Sequence, residues 1–173
     1  MRPEQIERKT TTTDGKPCLL FHTGWSTFSN FYTAPFTVDG QRYSTVEQYY
    51  QVQKAKYFGD SSTVIAMLKV RSPRRCKELG KNIVGFNKAD WATVAEGVMF
   101  TGVQEKFLQN ANARKVLTDT KGMLLAEATQ YDNYWANGLA IDDEDNADVG
   151  QWPGRNTLGR ILMKIRDSLL MSA

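Results

Sequence analysis

Phe36-Thr37-Val38-Asp39-Gly40-Gln41-Arg42-Tyr43-Ser44-Thr45-Val46-Glu47-Gln48-Tyr49-Tyr50-Gln51-Val52-Gln53-Lys54 is the stretch from which the fold is read. Its first part is a hairpin: Phe36–Val38 and Gln41–Tyr43 flank Asp39-Gly40, a two-residue turn signal. Ser44-Thr45-Val46-Glu47 then matches a capping box, with Ser44 at N-cap and Glu47 at N3, and opens a helix to about Tyr57. A strand pair therefore hands over to a helix with no linker between them.

Upstream, Cys18–Phe21 reads as a short strand and Gly24–Phe31 as an aromatic, turn-rich segment. Residues 1–16 are polar and read as a flexible N-terminal arm or a peripheral strand. Downstream the pattern is mostly helical. A short helix is expected around 61–70, and Ser72-Pro73 starts another that Gly80 ends. The longest pattern begins near Asp90-Trp91, with Val94, Val98, Val103 and Phe107 on one side. Residues 112–119 read as helix, and Met123–Ala128 fits either helix or strand. The last helix starts near Asn156, with an apolar stripe of Leu158, Ile161, Leu162, Ile165 and Leu169. No repeat or linker interrupts residues 17–173, which are expected to form a single domain.

The chain has 173 residues, 41% of them apolar and 24% charged. That is globular composition, long enough for a core without a disulfide or metal staple. A net charge of +3 is too mild to demand a nucleic-acid partner. Scarcity excludes more. His22 is the only histidine and Cys18 and Cys76 the only cysteines, so no zinc pattern forms, and any histidine-based triad has to use His22. No 18-residue apolar run or signal-peptide core is present, and an intracellular, cytoplasmic protein is expected. The phosphate-loop and dinucleotide fingerprints are absent.

Charge is segregated along the chain. Seven basic residues and one acid lie between Lys69 and Lys88, and seven acids with no Lys or Arg between Glu127 and Asp148. The basic stretch reads first as a solvated face, and the Asp142–Asp148 run as a solvated loop.

On the helix opened by Ser44, Glu47 and Lys54 are seven apart and share a face, about 10 Å apart along the axis. Tyr50 and Gln51, three and four residues past Glu47, lie on that face too. Acid, aromatic, amide and base in that order can carry chemistry. Equally, Glu47 can be a cap residue and Lys54 a solvated lysine. Asp132-Asn133-Tyr134-Trp135 places an acid beside an indole that either stacks on a planar base or fills core. Phe28-Ser29-Asn30-Phe31 carries the same ambiguity. Arg155 and Asn156 stand at a helix start, a place for an anion, with Asn156 alternatively an N-cap.

Together these blocks are specific. Phe28-Ser29-Asn30-Phe31, Thr45-x-Glu47-x-Tyr49-Tyr50-Gln51-x-x-Lys54, Asn87-x-x-x-Trp91, Lys106-Phe107-x-Gln109-Asn110, Asp132-x-x-Trp135 and Gly154-x-Asn156-x-Leu158-Gly159-x-x-Leu162-Met163-x-x-Arg166 follow in order. The chain resembles the NADAR (YbiA-like) family from about Phe21 to Leu169. The resemblance implies a helix-rich α+β domain with N-glycosidase activity and no cofactor or metal. Its substrates would be ADP-ribose on the amino group of guanine in single-stranded nucleic acid, or phosphoribosylamino-pyrimidine intermediates of riboflavin synthesis. In the first case an ADP-ribosyltransferase toxin is an implied partner. A non-catalytic module that binds ADP-ribose or a nucleotide is the rival reading, although a reader needs neither Glu47 nor Lys54. Gln48 stands where the family commonly has His, and Ala136 where Gly is expected.

Cleavage of a ribosyl C1–N bond develops oxocarbenium-like charge and leaves an amine that needs a proton. Glu47 is the expected carboxylate near C1, and Lys54 either the acid or an amine nucleophile. Asp132 would hold ribose hydroxyls or act as a second carboxylate. Phe28, Ser29, Asn30, Phe31, Tyr50, Gln51, Trp135, Arg155 and Asn156 complete the expected substrate contacts, with Phe31 and Trp135 on the base, and Arg155 and Asn156, together with members of the Lys69–Lys88 stretch, on diphosphate or nucleic-acid backbone.

Overall fold

The computed structural model describes residues 5–172. Their strands are β1 (Glu7–Thr11), β2 (Pro17–Phe21), β3 (Phe36–Val38), β4 (Gln41–Tyr43) and β5 (Leu124–Glu127). The helices are α1 (Val46–Tyr57), α2 (Ser61–Lys69), α3 (Pro73–Leu79), α4 (Lys88–Ala92), α5 (Ala95–Gln109), α6 (Ala111–Thr118) and α7 (Thr157–Met171). The chain is a helix-rich α+β protein. No helix among the described residues is long and apolar enough to cross a membrane. By internal packing it forms two compact units, one running to Ser29 and resuming at Arg114, the other spanning Asn30–Ala113.

The first unit is built on a three-stranded sheet of order β1-β2-β5, antiparallel between β1 and β2 and parallel between β2 and β5. Glu7–Thr11 is thus a paired edge strand, the second of the two readings open for residues 1–16. Met123–Ala128 likewise resolves as strand β5. On one sheet face Cys18, Leu20, Ala126 and Ala128 are buried beneath Leu124, Ile141 and Trp152. Helix α7 packs against β5. Its first turn comes so close that a Cβ on Gly159 would collide with the Leu125 carbonyl. Arg166, also on α7, is buried and donates from Nη1 to the carbonyls of Thr120 (2.9 Å) and Met123 (2.6 Å), just before β5. The acidic 142–148 segment is anchored rather than wholly solvated. Asn146 is buried, accepts from Asn137 Nδ2 (2.7 Å) and donates to the carbonyls of Ala140 and Asp143.

In the second unit the hairpin forms as its sequence dictates. Asp39 (φ 49°) and Gly40 (φ 76°) both take the left-handed conformation that a two-residue turn requires, and Phe36 pairs with Tyr43. Phe36, Tyr43 and Tyr49 form an aromatic cluster, with the Tyr43 and Tyr49 rings 5.1 Å apart, edge to face. Helix α1 packs against α2, α3 and α5.

The capping register differs from expectation by one residue. Thr45, not Ser44, is the N-cap, and its side chain accepts from the Gln48 backbone N–H (3.1 Å). Gln48 Oε1 accepts in turn from the Ser44 N–H (2.7 Å). Glu47 is thereby released from capping. The long pattern from Asp90 is also two helices. Asn87 caps α4, accepting from the N–H groups of Ala89 and Asp90, and the chain breaks at Thr93-Val94 before α5. Val94 is therefore an N-cap, and Ala95, Met99, Gly102, Val103, Lys106 and Phe107 make the buried face. Asn156 precedes α7 in the left-handed conformation and makes no side-chain cap. Both cysteines are free and buried.

Candidate active site

Six of the expected site residues, Asn30, Phe31, Glu47, Tyr50, Gln51 and Lys54, belong to the second unit, and α1 carries four of them. Glu47 sits in the first turn of α1 and is only 6% exposed. Its backbone N–H donates to the Asn30 carbonyl (3.0 Å), and one carboxylate oxygen accepts from Gln51 Nε2 (2.8 Å), one helical turn on. An acid held this deep by an amide, at a helix end where backbone N–H groups favour negative charge, is an oriented carboxylate.

Lys54 lies within electrostatic reach of Glu47. Burial pushes its amine below the usual lysine range; Glu47 pulls it up, and Lys77 pushes it down again. Its Nζ is 5.1 Å from the Phe86 ring centroid. Gly80, which closes α3, is the floor under this arrangement. A Cβ there would strike Gln51 Oε1 and stand 3.3 Å from Lys54 Nζ. Gln51 fills that gap with its carboxamide oxygen, which is buried without a hydrogen-bond partner.

Asn30 is buried and donates from Nδ2 to the Met99 sulfur (3.3 Å), leaving its Oδ1 buried and unpaired. Two unsatisfied amide oxygens thus belong to the residues that bond Glu47, and such atoms call for an explanation. Tyr50 is pinned: its hydroxyl accepts from Trp91 Nε1 (2.7 Å), and the two rings meet edge to face. Phe31 is half-buried, with Lys77 Nζ 5.7 Å from its ring centroid.

The other six belong to the first unit. Phe28 is a core residue: its ring is 1% exposed and packs on Phe21 with centroids 5.6 Å apart, so it offers a ligand no face. Ser29 is buried, and its N–H donates to the Ser26 carbonyl (3.0 Å). Asp132 Oδ1 accepts from the N–H groups of both Tyr134 and Trp135 (2.8 Å each), which folds the loop that presents the indole. Trp135 is half-buried, edge-on to Tyr134, and its carbonyl accepts from the Leu158 N–H. Arg155 is exposed, its guanidinium 5.3 Å from the Tyr134 ring centroid. Asn156 is buried and donates from Nδ2 to the Leu125 carbonyl (2.9 Å), which ties α7 to β5.

Gly80 and Phe86 were not singled out as site residues in the sequence, and Lys77 figured there only as a member of the basic stretch. Only Gly80's helix-ending role was legible, because its contact with Gln51 and Lys54 is tertiary.

Comparison with known proteins adds names to this geometry. The chain is 34% identical over 142 residues to N-glycosidase YbiA of Escherichia coli, covering 82% of this chain and 80% of that protein. It is 33% identical over 125 residues to an N-glycosidase of Acanthamoeba polyphaga mimivirus, covering 72% and 74% respectively. A riboflavin biosynthesis protein of Vibrio vulnificus is 33% identical over 141 residues, 82% of this chain but 35% of that one. The solution structure of E. coli YbiA matches with a TM-score of 0.71 at 30% identity, over 97% of this chain and 90% of that chain. These findings define the class: the chain is an enzyme, a hydrolase acting on N-glycosyl bonds. More particularly, it belongs to the NADAR domain family, whose model matches residues 20–170.

Proposed function

We propose that this enzyme removes ADP-ribose from the amino group of guanine in single-stranded nucleic acid. The observation that carries the reading is the buried Glu47 carboxylate, held by Gln51 and within electrostatic reach of a Lys54 amine that burial pushes toward neutrality. The overall change is addition of water across the C1–N bond: oxygen joins ribose C1, and the nitrogen leaves as the free amine. In the direct route Glu47 accepts a proton from water as its oxygen attacks C1, and Lys54 gives a proton to the departing nitrogen. The proton then returns from Glu47 to Lys54. In the covalent route the sugar ring opens to leave C1 doubly bonded to the guanine nitrogen, and neutral Lys54 adds to C1. A proton passes from the lysine nitrogen to the guanine nitrogen, which departs as the free amine, and water hydrolyses the resulting lysine imine to free lysine and sugar aldehyde. Borohydride trapping separates the two: a reduced adduct on Lys54 marks the covalent route. Within the sheet-bearing unit, Asp132 folds the loop that carries Trp135, an indole proposed to stack on a planar base.

The basic segment supports a nucleic-acid substrate. Arg71, Arg74, Arg75, Lys77, Lys81 and Lys88 are all exposed, and Phe86 (44%), Tyr57 (48%) and Val84 (72%) are exposed in the same unit. Exposed cations together with exposed aromatic and apolar side chains in one unit suit a single strand. Such a substrate has to be supplied by an ADP-ribosyltransferase. The Vibrio relative's name favours a second reading, cleavage of a ribosylamino-pyrimidine intermediate. Turnover of an ADP-ribosyl-guanine oligonucleotide, followed by mass spectrometry, decides between them. Release of ADP-ribose by wild type, none by Glu47→Gln, and rates that fall steeply with salt are expected. Inertness toward the oligonucleotide with turnover of the pyrimidine metabolite would overturn the nucleic-acid reading.

A further inference from the structure

The parallel strands β2 and β5 end side by side at Phe21 and Glu127, and the chain beyond both ends opens a cavity of about 560 Å³. That volume is in the range of small-molecule sites. Its walls come from His22 and Thr23 after β2, Thr129–Tyr131 after β5, and Asp142 in the acidic segment. All belong to the sheet-bearing unit, and none is among the residues proposed above to act on the glycosidic bond.

Three features describe what would fit. Thr23 takes φ +70°, a conformation that a β-branched residue adopts at a cost and that clusters at ligand sites. Tyr131 is 86% exposed, so its aromatic face is unclaimed by the core; its hydroxyl accepts from Gln130 Nε2 (2.9 Å). The lining holds one carboxylate, Asp142, and no Lys or Arg, which disfavours phosphate and favours a neutral, donor-rich ligand. His22, Thr23, Thr129 and Gln130 add groups that donate or accept.

We infer that this cavity is a second site, for a nucleobase bearing an exocyclic amino group, stacked on Tyr131 with its N–H edge toward Asp142. A free nucleoside and a base within a strand share this chemistry.

Isothermal titration with guanosine, inosine, guanosine monophosphate and a guanine-containing single-stranded oligonucleotide tests it on the intact chain. Guanosine is expected to bind more tightly than inosine, which lacks the 2-amino group, and than the monophosphate. Tyr131→Ala should weaken guanosine about tenfold, as loss of one base-stacking ring does. Asp142→Asn should erase the preference over inosine. Both side chains are exposed, so both variants are expected to fold. Trp135→Ala, which alters the proposed substrate contact, should leave guanosine affinity at this site unchanged. Stacking lost only for the oligonucleotide would keep the base site and assign it to strand-borne bases. Absence of saturable guanosine and oligonucleotide binding, or binding indifferent to Tyr131→Ala and Asp142→Asn, would overturn the inference. Neither result bears on turnover at Glu47.

Discussion

Glu47 accepts from Gln51, Gln51 fills the space over Gly80, and Gly80 has no side chain to resist it. That chain of dependence makes two residue-scale predictions. Glu47→Gln should cut turnover by ~10²–10⁴-fold, the range for a lost acid–base group. It should leave the melting temperature nearly unchanged, since Thr45 and Gln48 do the capping. A matching loss of stability would return Glu47 to a structural role. Gly80→Ala is the subtler test. The new methyl meets the flexible end of Gln51, which can swing away, so the fold should survive. The swing removes the hydrogen bond that orients Glu47. Turnover should therefore fall while thermal unfolding barely moves, and undiminished turnover in Gly80→Ala would sever Gln51 from the mechanism.

At the scale of elements, Gln48 is the fastener between α1 and α2. Its Oε1 accepts from the Ser44 N–H, and its Nε2 donates to the carbonyls of Met67 (3.0 Å) and Val70 (2.8 Å) at the end of α2. Gln48→Ala should destabilise the protein by roughly 2–3 kcal/mol, because it strands buried backbone groups as well as losing the bonds. Urea titration measures this; a change within ~0.5 kcal/mol would show that water replaces the amide. The same helix start shows how far its elements were legible. Hairpin, helix and last stripe follow from local rules, because Asp-Gly turns and apolar periods act within a few residues. The cap register does not, because Ser44-x-x-Glu47 and Thr45-x-x-Gln48 both satisfy the template. Tertiary carbonyls on α2 claim Gln48 and so decide for the second. The break at Thr93-Val94 was hidden for a related reason, with no Gly or Pro to mark it. Of the site, the shared face of Glu47, Gln51 and Lys54 was readable from spacing. Gly80 under it and the core burial of Phe28 were not, since each depends on packing between distant segments.

Across the whole molecule, the ionisable groups that folding buries set a stability profile with its maximum on the alkaline side of neutrality. Lys106 is 1% exposed, with Nζ 5.5 Å from the Tyr32 ring centroid and 5.0 Å from that of Phe107. Burial lowers its amine from 10.5 to about 7. Between those values the unfolded chain holds a proton that the folded chain does not, so stability rises with pH from about 7 to 10.5. Below 7 both states are charged and the penalty is fully present. Lys54, also lowered by burial, acts in the same sense. Cys18 and Cys76 oppose it. Burial raises both thiols from 9.0 to about 11, so above 9.0 the unfolded chain loses two protons that the folded chain keeps, and stability falls. Tyr43 and Tyr49, raised by burial, steepen that fall. The unfolding midpoint should therefore climb from pH 7 to about 9 and then decline. Lys106→Met keeps the bulk but not the charge. It should raise stability at pH 7 and reduce the climb while leaving the decline above 9 in place. Denaturant midpoints for both proteins from pH 6 to 10.5 check this. An equal slope between pH 7 and 9 in the two would mean that Lys106 keeps its proton in the folded chain, held by its partners despite burial.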